Sequence, residues 1–143
     1  MEIRPDYYDS FKCIAQDCKN NCCIGWEIDI DEQTLEKYKR HSGALKDKLA
    51  GCIGPEPCAH FVLAENERCP FLNNKNLCEL ILEDGEDMLC QICRDHPRFF
   101  SDVYGVTEKG LGLCCEAAAE IILTKVSPFS LITDGEEIPQ IDF

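Results

Sequence analysis

The sequence predicts an α+β fold, a small single domain of short strands and hairpins with two to four helices, stapled by a cysteine-ligated metal. Three observations lead there. A chain of 143 residues with 45% hydrophobic content has material for one core of modest size. Twelve of those hydrophobic residues are cysteines, which thins the packing material and calls for another source of stability. Strand-like alternation and helix-like apolar spacing then succeed one another in short pieces along the chain.

Four cysteines fall within residues 13–23, as Cys13-x4-Cys18-x3-Cys22-Cys23. Ile24, Trp26, Ile28 and Ile30 then alternate with Gly25, Glu27 and Asp29, the period of a half-buried strand. Asp31 reads as an N-cap, and Ile30 and Leu35 sit at the positions of a hydrophobic staple. Leu35, Tyr38 and Leu45 to Leu49 carry on a helical spacing that Gly43 interrupts. Gly51 to Glu56 reads as a connection and His60 to Leu63 as a short strand. Cys69 to Leu72 and Leu77 to Leu80 read as two short strands about the polar turn Asn73 to Asn76, which would bring Cys69 and Cys78 together. Within 84–95, Met88, Leu89 and Ile92 lie at helical spacing and Pro97 limits the helix, so Cys90 and Cys93 share one face. Phe99 to Tyr104 and Leu111 to Leu113 read as a hairpin whose turn spans Gly105 to Gly110. Cys114 and Cys115 open an Ala-rich helix, Glu116 to Lys125. The cysteine-cluster metal-binding domain is thus placed at 1–125, with 126–143 an acidic, extended tail.

At about 8% cysteine, a secreted chain would read as a disulfide scaffold. The opening residues Met1 to Tyr8 carry no leader pattern, and no apolar run nears the roughly 20 residues that cross a bilayer. The expectation is a cytoplasmic protein, not held in a membrane, whose thiols stay reduced and serve as metal ligands. Its formal net charge of −13 repels phosphate backbones, which argues against nucleic acid as partner and favours a neutral or basic protein surface.

Two thiols three or four residues apart on a helix stand about 5 to 6 Å apart at Cβ, close enough for one zinc ion or one iron-sulfur cluster. Cys90 and Cys93 meet that spacing, and Cys18 and Cys22 meet it if their segment is helical. The neighbours Cys22-Cys23 and Cys114-Cys115 diverge, so each pair serves two sites, or one site and the core. The candidate metal ligands are Cys13, Cys18, Cys22, Cys23, Cys69, Cys78, Cys90, Cys93 and Cys114. For Cys52, Cys58 and Cys115 a small core residue is an equally good reading. His96 lies nearest the constellation and could ligate metal or meet a partner, although a surface or hydrogen-bonded histidine is the plainer reading, as it is for His41 and His60.

The pattern Tyr8-x2-Phe11-x-Cys13-x4-Cys18-x3-Cys22-Cys23-x2-Trp26, followed by Cys69-Pro70-Phe71-Leu72-x5-Cys78 and Cys90-x2-Cys93-Arg94-x2-Pro97-Arg98-Phe99, resembles a known family. It is similar to the N-terminal cysteine-cluster region of flagellin lysine-N-methylase, within the wider group described as zinc- or iron-chelating. Leu113-Cys114 with Glu116-Ala117-Ala118 extends the match, which covers residues 8–123. The resemblance implies an iron-sulfur cluster of the 4Fe-4S type or zinc, S-adenosylmethionine as methyl donor, and flagellin as the protein partner. His96 stands where the family usually has Tyr, and Cys115 where it usually has Pro; neither change removes a candidate ligand. The methylases extend well beyond this region, so the enzyme reading calls for further chain or a partner. No spacing marks catalytic residues: Tyr7, Tyr8, Trp26 and Glu79 are of the types that orient a lysine, and Gly110-Leu111-Gly112 reads as a hairpin turn. A non-catalytic, zinc-stapled protein-interaction module accounts for the same composition. A thioredoxin-like role for Cys90-x2-Cys93 lacks the expected βαβ setting.

Overall fold

Residues 1–55 and 57–134 are described by the computed structural model, and they divide into two units, Ala15–His96 and Met1–Ile14 with the chain from Pro97 on. In sequence, the first is inserted into the second.

In the Ala15–His96 unit the predicted alternation governs burial from Trp26 to Ile30, whereas Ile24 is exposed. Ile28 and Ile30 are buried while Gly25, Glu27 and Asp29 are exposed. No long ladder forms, because the partners are isolated bridges, Ile24 with Arg68 and Asp29 with His60. The N-cap and staple are both present: Asp31 Oδ1 accepts the Thr34 N–H at 3.0 Å at the start of α1 (Glu32–Arg40), and Ile30 and Leu35 are both buried. After a break at residues 41–45, α2 spans Lys46–Cys52. The core gathers Ile28, Ile30, Leu35, Tyr38, Leu49, Phe61, Phe71, Leu80, Met88 and Cys90. Its aromatic centre is Phe61, stacked on Tyr38 at 5.9 Å between ring centroids and tilted against Phe71 at 5.0 Å.

Several expectations change here: the strands expected at residues 60–63 and 69–72 also supply only isolated bridges, at His60, Phe61 and Leu72. Leu77 to Leu80 supplies a single bridge, Leu72 with Cys78, and the chain then coils into α3 (Glu79–Asp84). The turn before it is held by the Asn73 side chain, which accepts the N–H groups of Lys75 at 2.8 Å and Leu77 at 3.0 Å, with Asn76 at a left-handed φ of 57°. Leu80 therefore enters the core from a helix. The helix predicted across 84–95 is also shorter: Gly85, at φ 87°, stops one element, Glu86–Met88 make a 3-10 turn, and only Gln91–Asp95 form α4. With α5 of the other unit, the described residues hold five α-helices, one beyond the predicted range.

α1 grips the segment that leads into α4. Lys37 Nζ donates to the Asp87 carbonyl at 2.7 Å, Tyr38 Oη to the Met88 carbonyl at 2.6 Å, and Asp31 Oδ2 accepts the Gln91 N–H at 2.8 Å.

The other unit is a mixed sheet in the order β2-β3-β1-β4, built from β1 (Glu2–Pro5), β2 (Arg98–Val103), β3 (Val106–Leu111) and β4 (Leu131–Asp134). β1 runs parallel to β3, and the other two pairings are antiparallel. The predicted hairpin is present with a tighter turn. Tyr104 and Gly105 both take left-handed φ values, 49° and 80°, the two-residue connection that matches strand twist. Gly110 consequently lies inside β3 rather than in a turn, and the Phe99 ring covers it so closely that a Cβ there would come within 2.1 Å of that ring. α5 (Glu116–Thr124) buries Ala117 and Ala118 with Tyr8, Phe11 and Leu111. Of the tail expected at 126–143, residues 131–134 are β4 and residues 135–143 lie outside the described residues.

Tyr38→Phe keeps the ring stack and removes one donor, leaving the Met88 carbonyl unpaired in a buried place. The expected loss is about 1–3 kcal/mol in urea unfolding of the chain.

Candidate metal centre

Backbone pairing delivers the thiols from separate segments. The Cys69 N–H donates to the Cys23 carbonyl at 2.8 Å and the Gly25 N–H to the Glu67 carbonyl at 2.9 Å, so residues 23–25 run beside 67–69. Trp26 Nε1 donates to the Cys22 carbonyl and fixes the adjacent turn. The Leu72–Cys78 bridge folds Cys78 back towards Cys69, as the sequence implied. Cys90 immediately precedes α4 and Cys93 lies within it, and their sulfurs are 3.4 Å apart in a hydrogen bond.

Electrostatics register how closely these groups sit. The charges of Cys69 and Cys78 act on Cys23, those of Cys78 and Cys90 on Cys69, that of Cys90 on Cys78, and those of Cys90, Cys23 and Cys69 on Cys93. Burial, reinforced by Cys78 and Cys90, pushes Cys69 up to about 11, and burial likewise raises Cys78. Within the adjacent pair, the hydrogen bond with Cys23 brings Cys22 down to about 7 and holds Cys23 protonated. The same logic lowers Cys90 and raises Cys93. Burial raises the Tyr38 hydroxyl, and the charges of Cys90, Cys93 and Cys78 add to it. Asp31 and Glu79 add negative field at Cys90 and Cys78. Such an array resists carrying many thiolates at once, and a cation among them reverses that resistance.

Among the described residues, no three His, Cys, Asp or Glu side chains converge in metal-holding geometry. Pairwise hydrogen bonds dominate instead. In kind, the donors fit a thiophilic metal: six sulfurs, half-buried except for the fully buried Cys90, drawn from four stretches of one unit.

The remaining candidates are placed differently. Cys18, in the same unit, is half-buried with its sulfur 3.3 Å from the Asn20 carbonyl. Cys13 and Cys114 are exposed and belong to the sheet-bearing unit. Cys52 packs against one core and Cys115 against the other, the core reading, whereas Cys58 is exposed. His60 Nδ1 lies 2.8 Å from the Cys58 carbonyl, hydrogen-bonded as expected. His96 is different: its ring tilts against Trp26 at 5.6 Å, its Nε2 is buried without a partner, and burial disfavours its charged form. The aromatic at position 26 and the histidine next to Pro97 were the only hints of that pairing. Asp31 was legible as an N-cap, but its second oxygen reaches 60 residues ahead to Gln91, which local sequence does not signal.

No protein-family model matches the chain, and no solved structure matches it. Among curated proteins, the lysine-N-methylases of Salmonella typhimurium and Salmonella choleraesuis are each 25% identical over 141 residues, covering 89% of this chain and 33% of theirs. Over most of its own length the chain is similar to lysine-N-methylases. A flagellar biosynthetic protein of Salmonella muenchen, FliU, is 25% identical over 140 residues, covering 89% of this chain and 79% of its own length. The chain spans about a third of the length of the lysine-N-methylases it matches. No helix among the described residues is long and apolar enough to cross a membrane.

Asp31→Ala removes the acceptor of two helix-starting N–H groups, and the expected cost is about 1–3 kcal/mol. Burial raises the Asp31 pKa, but the N–H groups of Gln91 and Thr34 together outweigh it and hold the carboxyl below its usual value. A depressed carboxylate contributes stability that is complete above its unfolded pKa of about 4 and is lost as pH falls through the folded value. Denaturation of both proteins across acid pH should therefore show the difference full at neutrality and shrinking below about pH 4.

Proposed function

We propose that the Ala15–His96 unit is a thiolate metal-binding unit, holding an iron-sulfur cluster or zinc, within a protein that takes part in S-adenosylmethionine-dependent methylation of lysines on a flagellin-type partner. One observation supports the metal reading above the others: Cys22, Cys23, Cys69, Cys78, Cys90 and Cys93 come from four stretches of chain into reach of one another's charge. Metal binding exchanges their protons for a cation and converts mutual repulsion into attraction. For structural zinc sites that exchange contributes about 10–16 kcal/mol of apparent folding energy, enough to compensate a thin core. Cys18 stays in this unit's ligand set on the strength of the resemblance, which also proposes Cys13 and Cys114, in the sheet-bearing unit, as ligands.

The methyl-transfer reading draws on the names of the relatives. In that reaction an uncharged lysine amine attacks the methyl carbon of a sulfonium donor, the N–C bond forms as the C–S bond breaks, the thioether leaves and the methylated amine sheds a proton. The net charge of −13 suits a lysine-bearing partner.

A second reading, a zinc-stapled interaction module, is favoured by the way Cys69, Cys78 and Cys93 pack directly against the apolar core around Cys90. Colour separates the two. Anaerobically purified chain that is brown and carries iron with sulfide supports the cluster; colourless chain with bound zinc supports the module; chain with neither metal defeats the proposal. Cys90→Ser and Cys93→Ser should each lower metal content, while Cys58→Ser should leave it unchanged. Verified chelation under reducing conditions should lower the thermal midpoint.

A further inference from the structure

We propose that Cys90 and Cys93, when the chain carries no metal, close a reversible disulfide, so that the pair is a redox modification site governing whether metal can load. The two sulfurs are already in hydrogen-bond contact at 3.4 Å. Backbone bonds on both sides fix the segment in that arrangement: the Gln91 N–H to Asp31 Oδ2 at 2.8 Å and the Arg94 N–H to the Cys90 carbonyl at 3.1 Å. Closing the pair to a bonded distance of about 2.05 Å asks for side-chain torsion and little backbone movement. The neighbouring candidate, Cys22-Cys23, is disfavoured, because adjacent cysteines close a small ring far from relaxed disulfide geometry.

Accessibility sets the order of events. Cys90 is 0% exposed, whereas Cys93 is half-buried and offers the entry point. The oxidant is a low-molecular-weight disulfide. Cys93 passes its proton across the 3.4 Å contact to Cys90 as its sulfur attacks the small disulfide, forming a mixed disulfide and expelling one thiolate; Cys90 gives that proton to the departing thiolate and attacks the Cys93 sulfur, the protein S–S bond forms, and the second small thiol leaves. Two protein thiols are oxidised, one small disulfide is reduced to two thiols, and the protons pass from the protein thiols to the departing thiolates. A dithiol reductant runs the exchange backwards. The disulfide rests on the geometry of the pair alone; its effect on metal loading rests on the metal reading above, since closure takes two of the six sulfurs out of use.

The test uses the full chain, chelated and reduced, then incubated without oxygen in excess oxidised glutathione, alkylated and mapped by peptide mass. The expected product is a peptide containing residues 90–93 that is unalkylated at both cysteines and lighter by about 2 Da, reversed by dithiothreitol. Cys90→Ser should instead leave a glutathione adduct on Cys93. Both cysteines remaining open to alkylation, or pairing with other cysteines, overturns the proposal. A zinc arm separates the two readings: reduced chain that takes up no zinc or iron counts against the metal site, while the peptide map still decides the disulfide. Equal zinc uptake by reduced and oxidised chain overturns the gating.

Discussion

The Asp31 carboxylate accepts backbone N–H groups from the start of its own helix and from Gln91, 60 residues ahead at the start of α4, and the rest of the cysteine-bearing unit depends on that junction. One oxygen caps α1, a local event worth about 1 kcal/mol in most helices. The other fixes Gln91, and with it the position of Cys90 and the start of α4. Lys37 and Tyr38 add two more bonds from α1 to the carbonyls of Asp87 and Met88. A short helix of five residues has little stability of its own, so this external grip supplies what α4 lacks.

From that junction the core and the thiols are assembled by one set of contacts. Phe61 and Phe71 fill the centre, and Cys69, Cys78 and Cys93 pack on the same apolar cluster that buries Cys90. Burial that stabilises the chain as hydrophobic packing is also what opposes ionisation of the sulfurs. In the proposed metal unit, a bound cation would reconcile the two demands. Local pairing in Cys22-Cys23 and Cys90-Cys93, where one thiol donates to the other, relieves part of the conflict.

Much of this was legible in the sequence, because the signals are local. The cap at Asp31, the staple of Ile30 and Leu35, the alternation at Ile28 and Ile30, and the stop before Pro97 are all settled within one or two turns of chain. The α+β class followed from them. Misreadings arose where local backbone departed from a pattern. Extended backbone at Leu89 and Cys90 split a helix that Met88 and Ile92 advertised, the chain from Glu79 coiled into α3 where a strand was expected, and Tyr104 accepted a left-handed conformation that shortened a hairpin turn. The partnership of Asp31 with Gln91 and that of Trp26 with His96 are tertiary and leave no spacing to read. Nor does cysteine spacing reveal that Cys13 and Cys114 belong to the sheet-bearing unit while the other seven candidates belong to Ala15–His96.

X-ray absorption at the edge of whichever metal accompanies the anaerobically purified chain measures the central claim most directly. A first shell of sulfur, at about 2.3 Å for either zinc or iron thiolate, is the result this account predicts. A first shell made only of oxygen or nitrogen would place the metal elsewhere and contradict it.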